Sequence, residues 1–487
     1  MKLFPFGRLA PLAVVVALAS GCANFHGLSP SAKTTSAQSL EAGQTLGGVK
    51  LSDAAWPSED WWKRLGDPQL DQLIGEALRD SPDLQIAAAR AHQASAAAYG
   101  ADAARMPQVN ADGSVSRSRL SRTQDPLGEG ERYSTLRSAQ LSFDYSFDLW
   151  GGQRAAWEAA LGQARAAEVD RQAARLTLAA DVARAYNNLG EAYVVRDLAQ
   201  EDLKRTRQLL SLGRQRLSAG IDSDYQLQQT ESLEASSQAQ AANAEKQLHS
   251  ARIALAVLLG KGPDRGAQIA RPQVLQPGAV ALPSTLPADL LGRRPDLVAA
   301  RWRVEAASKN IDASKTRFYP NLNLTAAVGT QSLLGDAFFG APSRFFNVAP
   351  AVSLPVFDGG RLRADLDARD ADYDLAVAQY NKSLVGALGD VSDALNQLDA
   401  LGRETAAQQH AAEVVQRSFD TVTQRYGAGI GNYLDVLTLE QQLLQAQQQL
   451  AALNAQRIDM SIQLMQALGG GYQGEALATA DQAQPHE

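Results

Sequence analysis

With a single cysteine among its 487 residues, the chain cannot form an internal disulfide. Its five histidines, His26, His92, His249, His410 and His486, are scattered. No paired-histidine zinc motif, phosphate loop or nucleophile elbow is present, so there is no catalytic constellation, metal site or cofactor site to assign. Basic residues do not exceed acidic ones: the formal net charge is −7, and removing residues 1–21 makes it more negative because Lys2 and Arg8 leave with no acid. That balance argues against a nucleic-acid binder, whose affinity needs a basic face. Beyond the N-terminus there is no run of about 18 apolar residues, which argues against a helical membrane span. Proline is missing between Gly152 and Pro263 and again from Val356 to Gln484, which leaves room for unusually long helices.

At the N-terminus, Lys2 and Arg8 form a basic region, Leu9 to Leu18 an apolar one, and Ala19-Ser20-Gly21 a small-residue site before Cys22. Residues 1–21 read as a cleaved signal peptide. The segment resembles a bacterial lipoprotein signal, although Ala19 stands where leucine is usual, and this implies Cys22 as the lipid-bearing first residue. Ala23, where an aspartate is absent, points by the same analogy to the outer membrane. Residues 22–55, rich in Ser, Thr, Gly and Ala, read as an extended tether, and residues 472–487 as a tail.

The chain is organised around Gln140 to Arg154. Leu141, Phe143, Tyr145, Phe147 and Leu149 alternate with Gln140, Ser142, Asp144, Ser146 and Asp148, the period-two pattern of a strand with one apolar face. Its length of about ten residues suits a tilted transmembrane strand, and a wet-faced strand of a β-sandwich is the alternative for this segment taken alone. Trp150-Gly151-Gly152-Gln153-Arg154 then opens a helix predicted to reach about Leu217, roughly 100 Å long. Ala219-Gly220-Ile221 ends it, Asp222 or Ser223 caps the next helix, and Leu259-Gly260 ends that one. Upstream, Asp67-Pro68 and Ser81-Pro82 start two shorter helices, with Trp56, Trp61 and Trp62 as core packing.

The whole pattern occurs twice, with a period of about 210 residues, far longer than a solenoid unit. Arg294-Pro295-Asp296-Leu297 repeats Ser81-Pro82-Asp83-Leu84. Phe357-Asp358-Gly359-Gly360-Arg361 repeats the Trp150 turn, and Ala428-Gly429-Ile430 repeats Ala219-Gly220-Ile221. The first repeat is placed at residues 56–286, with strands at about 107–117 and 138–149. The second is placed at 287–471, with strands at about 320–331 and 346–357.

Four strands cannot close a membrane barrel, because about eight are needed to fill even a plugged one, and in lipid an open edge leaves backbone groups unpaired. Three chains give twelve strands. Their twelve helices, spaced about 10 Å apart, enclose a lumen of about 25 to 30 Å. Ala155, Ala159, Ala166, Ala173, Ala180 and Ala183 suit close helix contacts better than the Leu and Ile heptads of a free coiled coil. The expected fold is mainly α with membrane β. A duplicated helix-strand-strand-helix hairpin unit assembles as a trimer, with a 12-stranded outer-membrane β-barrel continued by a 12-helix periplasmic α-barrel.

This layout, Arg294-Pro295-Asp296-Leu297, Pro355-Val356-Phe357-Asp358-Gly359-Gly360-Arg361 and the run from Arg425 to Leu437 together resemble the TolC-type outer membrane factors, in their lipoprotein NodT branch. The resemblance covers Trp56 to Gly471. It implies a homotrimeric, passive outer-membrane channel in contact with membrane lipid. Such a channel exports drugs, toxic compounds or metals with a periplasmic adaptor and an inner-membrane pump, usually of the proton-driven resistance-nodulation-division type. Type I protein secretion is the alternative within that class. A periplasmic adaptor or structural coiled coil is the alternative outside it, but neither accounts for four amphipathic strands. The resemblance also implies a periplasmic gate. Its candidates are Asp222, Asp224 and Asp435, each equally readable as a helix cap or surface charge, and Gly431 stands where relatives often carry another aspartate. The candidate adaptor-docking turns are Gly220, Ile221, Gly429, Ile430, Asn432 and Tyr433.

Overall fold

The computed structural model describes residues 27–36, 39–40, 51–52, 56–119, 133–273, 275, 282–283, 292–333 and 337–473. Cys22, the signal segment 1–21 and the tail beyond residue 473 lie outside the described residues.

Two compact units divide the chain. The first draws on residues 1–34, 91–167 and 300–380 and contains one antiparallel sheet. Its strands are β1 (Gln108–Arg119), β2 (Tyr133–Phe147), β3 (Asn321–Ser332) and β4 (Arg344–Ser353), hydrogen-bonded in that order. β2 starts five residues earlier than expected because its ladder with β1 continues to the Arg119–Tyr133 pair. There the Arg117 guanidinium lies 5.1 Å from the Tyr133 ring centre. β4 stops four residues short of 357, just before Pro355, which has no N–H to donate.

Register aligns the two faces across all four strands. Val109 pairs with Phe143, Phe143 with Ala326, and Ala326 with Val348; Ala111, Leu141, Val328 and Phe346 form the next row. The intervening rows are polar or small, as in Asn110, Ser142, Ala327 and Asn347, and the Ser114 and Ser138 hydroxyls share a hydrogen bond of 2.8 Å. Val109, Leu141, Val328, Phe346 and Val348 are exposed, Phe346 by 84%. A sheet that turns large apolar side chains outward has lipid as its fitting solvent.

The helices repeat as the strands do. In the first half the longer ones are α1 (Pro68–Asp80), α2 (Pro82–Ala103), α3 (Gly152–Ser218) and α4 (Asp224–Leu258). In the second they are α5 (Pro295–Thr316), α6 (Arg361–Gly427) and α7 (Tyr433–Ala467). α3 and α6 have 67 residues each, α4 and α7 have 35 each, and α2 and α5 have 22 each, so the duplication holds to the residue in these three pairs. Each long helix begins in the first unit and ends in the second.

The two strand-to-helix joints are built alike. Asp148 accepts hydrogen bonds from the backbone N–H groups of Gln153 and Arg154, and Asp358 accepts them from Gly360 and Leu362. Each carboxylate thereby pairs helix-start donors that have no intrahelical partner. Trp150 stacks on Tyr319, with ring centres 4.8 Å apart, and donates its indole N–H to the Pro320 carbonyl.

The second unit holds the main core. Trp61, Leu70, Leu73 and Ile74 pack with Leu178, Val182, Tyr186, Leu189, Leu248, Leu255 and Ile462, while Trp56 packs in a second cluster with Leu388 and Val391. Asp67 caps α1 through the Gln69 N–H and also accepts the Tyr186 hydroxyl at 2.5 Å. Of the seam alanines, Ala155, Ala159, Ala166, Ala180 and Ala183 are buried and Ala173 is half-buried. Part of the predicted tether is fastened rather than free: in the first unit Asp374 accepts the Ser31 and Ala32 N–H groups, and in the second Asn381 accepts that of Thr35. Among the described residues no helix is long and apolar enough to cross a membrane.

Candidate functional site

The residues expected to gate and dock lie where α3 meets α4 and α6 meets α7, all in the second unit. Both long helices end in the same local motif. The Ile221 N–H donates to Arg216 and that of Gly220 to Leu217; likewise the Ile430 N–H donates to Arg425 and that of Gly429 to Tyr426. This paired closure needs a left-handed residue, and Gly220 and Gly429 supply it with φ of 72° and 80°. Local sequence also starts the return helices. Ser223 caps α4 in a reciprocal arrangement with Gln226, so of the two residues offered for that cap, Asp222 is not the one used. Asn432 caps α7 through the Leu434 N–H.

Asp222 is free to do something else. Its carboxylate takes two hydrogen bonds from Arg216, Nε at 2.9 Å and Nη2 at 3.1 Å, and a third from the Tyr426 hydroxyl at 3.0 Å. Its side chain is only 8% exposed. The Arg216 bonds hold its carboxyl below the ordinary range, with Tyr426 adding to them and partial burial opposing. Arg216 also lies 4.4 Å from the Tyr426 ring centre. Burial first, and the hydrogen bond to Asp222 second, push the Tyr426 hydroxyl up to about 12, so it stays a donor at neutral pH. One carboxylate from the first turn therefore clasps the end of α6 within a single protomer, and its charge is already matched there.

Asp224 and Asp435 differ. Both are exposed; Asp224 accepts from Gln228 of its own helix, and Asp435 sits in the first turn of α7. Gly431 occupies the repeat position equivalent to Asp222. A Cβ on it would lie 2.6 Å from the Tyr426 nitrogen and 2.9 Å from the Arg425 carbonyl carbon, so the second turn has no room for a side chain there.

Ile221 and Ile430 stand out at the turns, Ile430 by 72%, with Tyr225 and Leu434 exposed beside them. Tyr433, expected on the docking surface, is instead buried: its hydroxyl bonds that of Thr230, and its ring lies 5.6 Å from that of Tyr426. It anchors a tip core with Leu209, Phe419, Val436 and Leu443. Tyr433, Val436 and Leu443 share the buried stripe of α7, so adjacency to the turn does not bring the Tyr433 ring to the surface. Sequence reasoning also missed Arg216 and Tyr426. The one available signal was that both lie in the last turn of helices ending in Ala-Gly-Ile.

Comparison with known proteins bears on the family and the fold. The family model described as outer membrane efflux protein matches residues 73–261 and 286–470. The fusaric acid resistance protein FusA of Burkholderia cepacia is 39% identical over 74% of this chain and 69% of its own. The pyoverdine export outer membrane protein OpmQ of Pseudomonas aeruginosa is 34% identical over 85% of this chain and 88% of its own. Among solved structures, the outer membrane protein VceC of Vibrio cholerae superposes with a TM-score of 0.78 at 34% identity, covering 85% of this chain and all of that one. The outward apolar sheet, the duplicated 67-residue helices and these matches together show that the chain belongs to the outer membrane efflux protein family, as a TolC-type outer-membrane channel.

Proposed function

We propose that three copies of this chain form one conduit that carries small molecules across the outer membrane, working with a periplasmic adaptor and a proton-driven inner-membrane pump of the resistance-nodulation-division type. The observation that carries the reading is the sheet: β1 and β4 are its edges, and among the described residues no further strand pairs with either. In lipid each unpaired group costs several kcal/mol, so the edges must meet those of other copies. A homotrimer makes twelve strands, enough for an open pore. Transport in this reading is passive, and no residue has a catalytic role. Drugs, toxic compounds or metals are the expected cargo, and the relatives named for fusaric acid resistance and pyoverdine export support small molecules over proteins. Light scattering of detergent-purified protein is expected to give three chains per particle, and a folded monomer with a closed barrel would overturn the assembly. In cells lacking their own channel, the chain expressed with its adaptor and pump should lower accumulation of a fluorescent substrate; unchanged accumulation would sink the efflux assignment.

The exposed pairs Ile221 with Tyr225 and Ile430 with Leu434 make the two turns an apolar surface for adaptor docking, with Gly220, Gly429 and Asn432 shaping the backbone beneath them. Asp222, through its clasp, and Asp224 and Asp435, through exposed charge, are proposed to set the closed gate. Cys22 is proposed to be acylated and to add an outer-membrane lipid anchor to the barrel. Cys22→Ser is expected to weaken membrane retention while the barrel still inserts, and mass spectrometry finding an unmodified Cys22 in the mature protein would refute it.

A further inference from the structure

Behind the tips lies a group of charges that the channel reading leaves unused. Glu440 of α7 is 2% exposed, and among the described residues neither of its carboxylate oxygens has a hydrogen-bond partner. Its facing cation is Arg205 of α3, whose Nε is 3.5 Å from Glu440 Oε1. Nη2 of the same guanidinium is 3.5 Å from Oδ1 of Asp202, also on α3. Both of these Arg205 nitrogens are themselves buried and have no hydrogen bond among the described residues. Asp202 is 4% exposed and takes a 2.7 Å hydrogen bond from the Ser237 hydroxyl of α4. The Phe419 ring of α6 lies 6.0 Å from the Arg205 guanidinium, and Tyr433 is the ionisable neighbour on α7 itself.

Four helices thus enclose two carboxylates and one guanidinium, and Glu440 is the poorly satisfied member. With every group ionised the site carries one uncompensated negative charge away from water, and protonating Glu440 removes it. We propose that Glu440 is a proton-binding site that sets how tightly α7 packs on α3. Neutral, it holds the two hairpins together; ionised, it loosens them.

Burial, with the Asp202 charge adding to it and Arg205 opposing, pushes Glu440 up to about 7. A carboxyl whose packed-state value is raised favours the packed form when protonated. That preference declines as pH rises from the ordinary glutamate range and levels off above about 7. Within this window the loosened population grows roughly tenfold per pH unit. The Asp222 clasp lets go only below the ordinary carboxylate range, so the two devices respond in separate pH ranges.

The consequence for transport rests on the tips being the gate; the consequence for packing does not. Hydrogen exchange of residues 433–447 in the full-length, detergent-solubilised protein, corrected for intrinsic rates, separates them. Between about pH 5.5 and about pH 7.5 the wild type is expected to lose protection by roughly tenfold or more, and Glu440→Gln to lose little. Asp202→Asn removes the like charge, so its protection should level off at lower pH while still changing, which keeps the test decisive even if Glu440→Gln folds poorly. Wild-type protection independent of pH, or the same change in Glu440→Gln, overturns the proposal. If exchange follows the expectation but planar-bilayer conductance does not change with pH, the proton site stands and the gating role of the tips falls.

Discussion

Asp222→Ala is expected to raise the resting conductance of the channel in planar bilayers, with little effect on membrane insertion. The substitution removes three hydrogen bonds at once, two from Arg216 and one from Tyr426, and leaves the Arg216 guanidinium, 15% exposed, without its carboxylate. A hydrogen-bonded charge lost from so sheltered a place costs on the order of 2 kcal/mol, roughly a thirtyfold shift between the clasped and loosened tip. Asp224→Ala serves as the contrast. Asp224 is exposed and, among the described residues, bonded through Gln228 of its own helix, so its loss should change conductance far less. The pH response carries a sign. Because the Asp222 value is depressed, the clasp contributes fully above the ordinary aspartate range and is lost only as pH falls through the lowered value. Equal conductance in wild type and Asp222→Ala would show that the clasp does not hold the gate, and an Asp224→Ala effect as large would point to a charge ring in its place.

The second large effect belongs to the turn between α6 and α7. Gly431→Ala is expected to abolish efflux while leaving barrel insertion and assembly intact. The added Cβ meets backbone atoms of Arg425 and Tyr426 inside 3.0 Å, and backbone in the last turn of a helix cannot swing aside as a side-chain end can. Relief requires unwinding that turn, which also carries the Tyr426 hydroxyl that meets Asp222. Overpacking of this kind costs roughly 1–3 kcal/mol. Gly429→Val acts differently: there is open space around the position, but φ of 80° is hostile to a β-branched residue, at roughly 1–2 kcal/mol. It should impair adaptor docking and efflux to a lesser degree. Drug-resistance complementation measures both, with the level of assembled channel in the outer membrane as the control. Wild-type resistance from Gly431→Ala would show that the tip tolerates a remodelled turn.

The sequence by itself determined whatever depends on residues within a turn or two of each other. Alternation from residue 141 marks a strand, which ends at Phe147, two residues short of the expected Leu149; Asp67-Pro68 starts a helix, and Ala-Gly-Ile ends one, because each outcome follows from local backbone geometry and neighbouring hydrogen bonds. The duplication was legible for the same reason, as local signals recurring in one order. Side-chain partners across the tip were not. Asp222 meets Tyr426, Tyr433 meets Thr230 and Glu440 meets Arg205, and each of these pairs is separated by more than 200 residues of chain. In Leu437-Thr438-Leu439-Glu440-Gln441-Gln442, Glu440 reads as a surface acid. Its place on the stripe of Tyr433, Val436 and Leu443 hinted otherwise, but a lone acid on an apolar stripe does not say which cation faces it. Only the packing of α3, α4, α6 and α7 decided which charges are shielded from water, and shielding is what separates a clasp or a proton site from a solvated carboxylate.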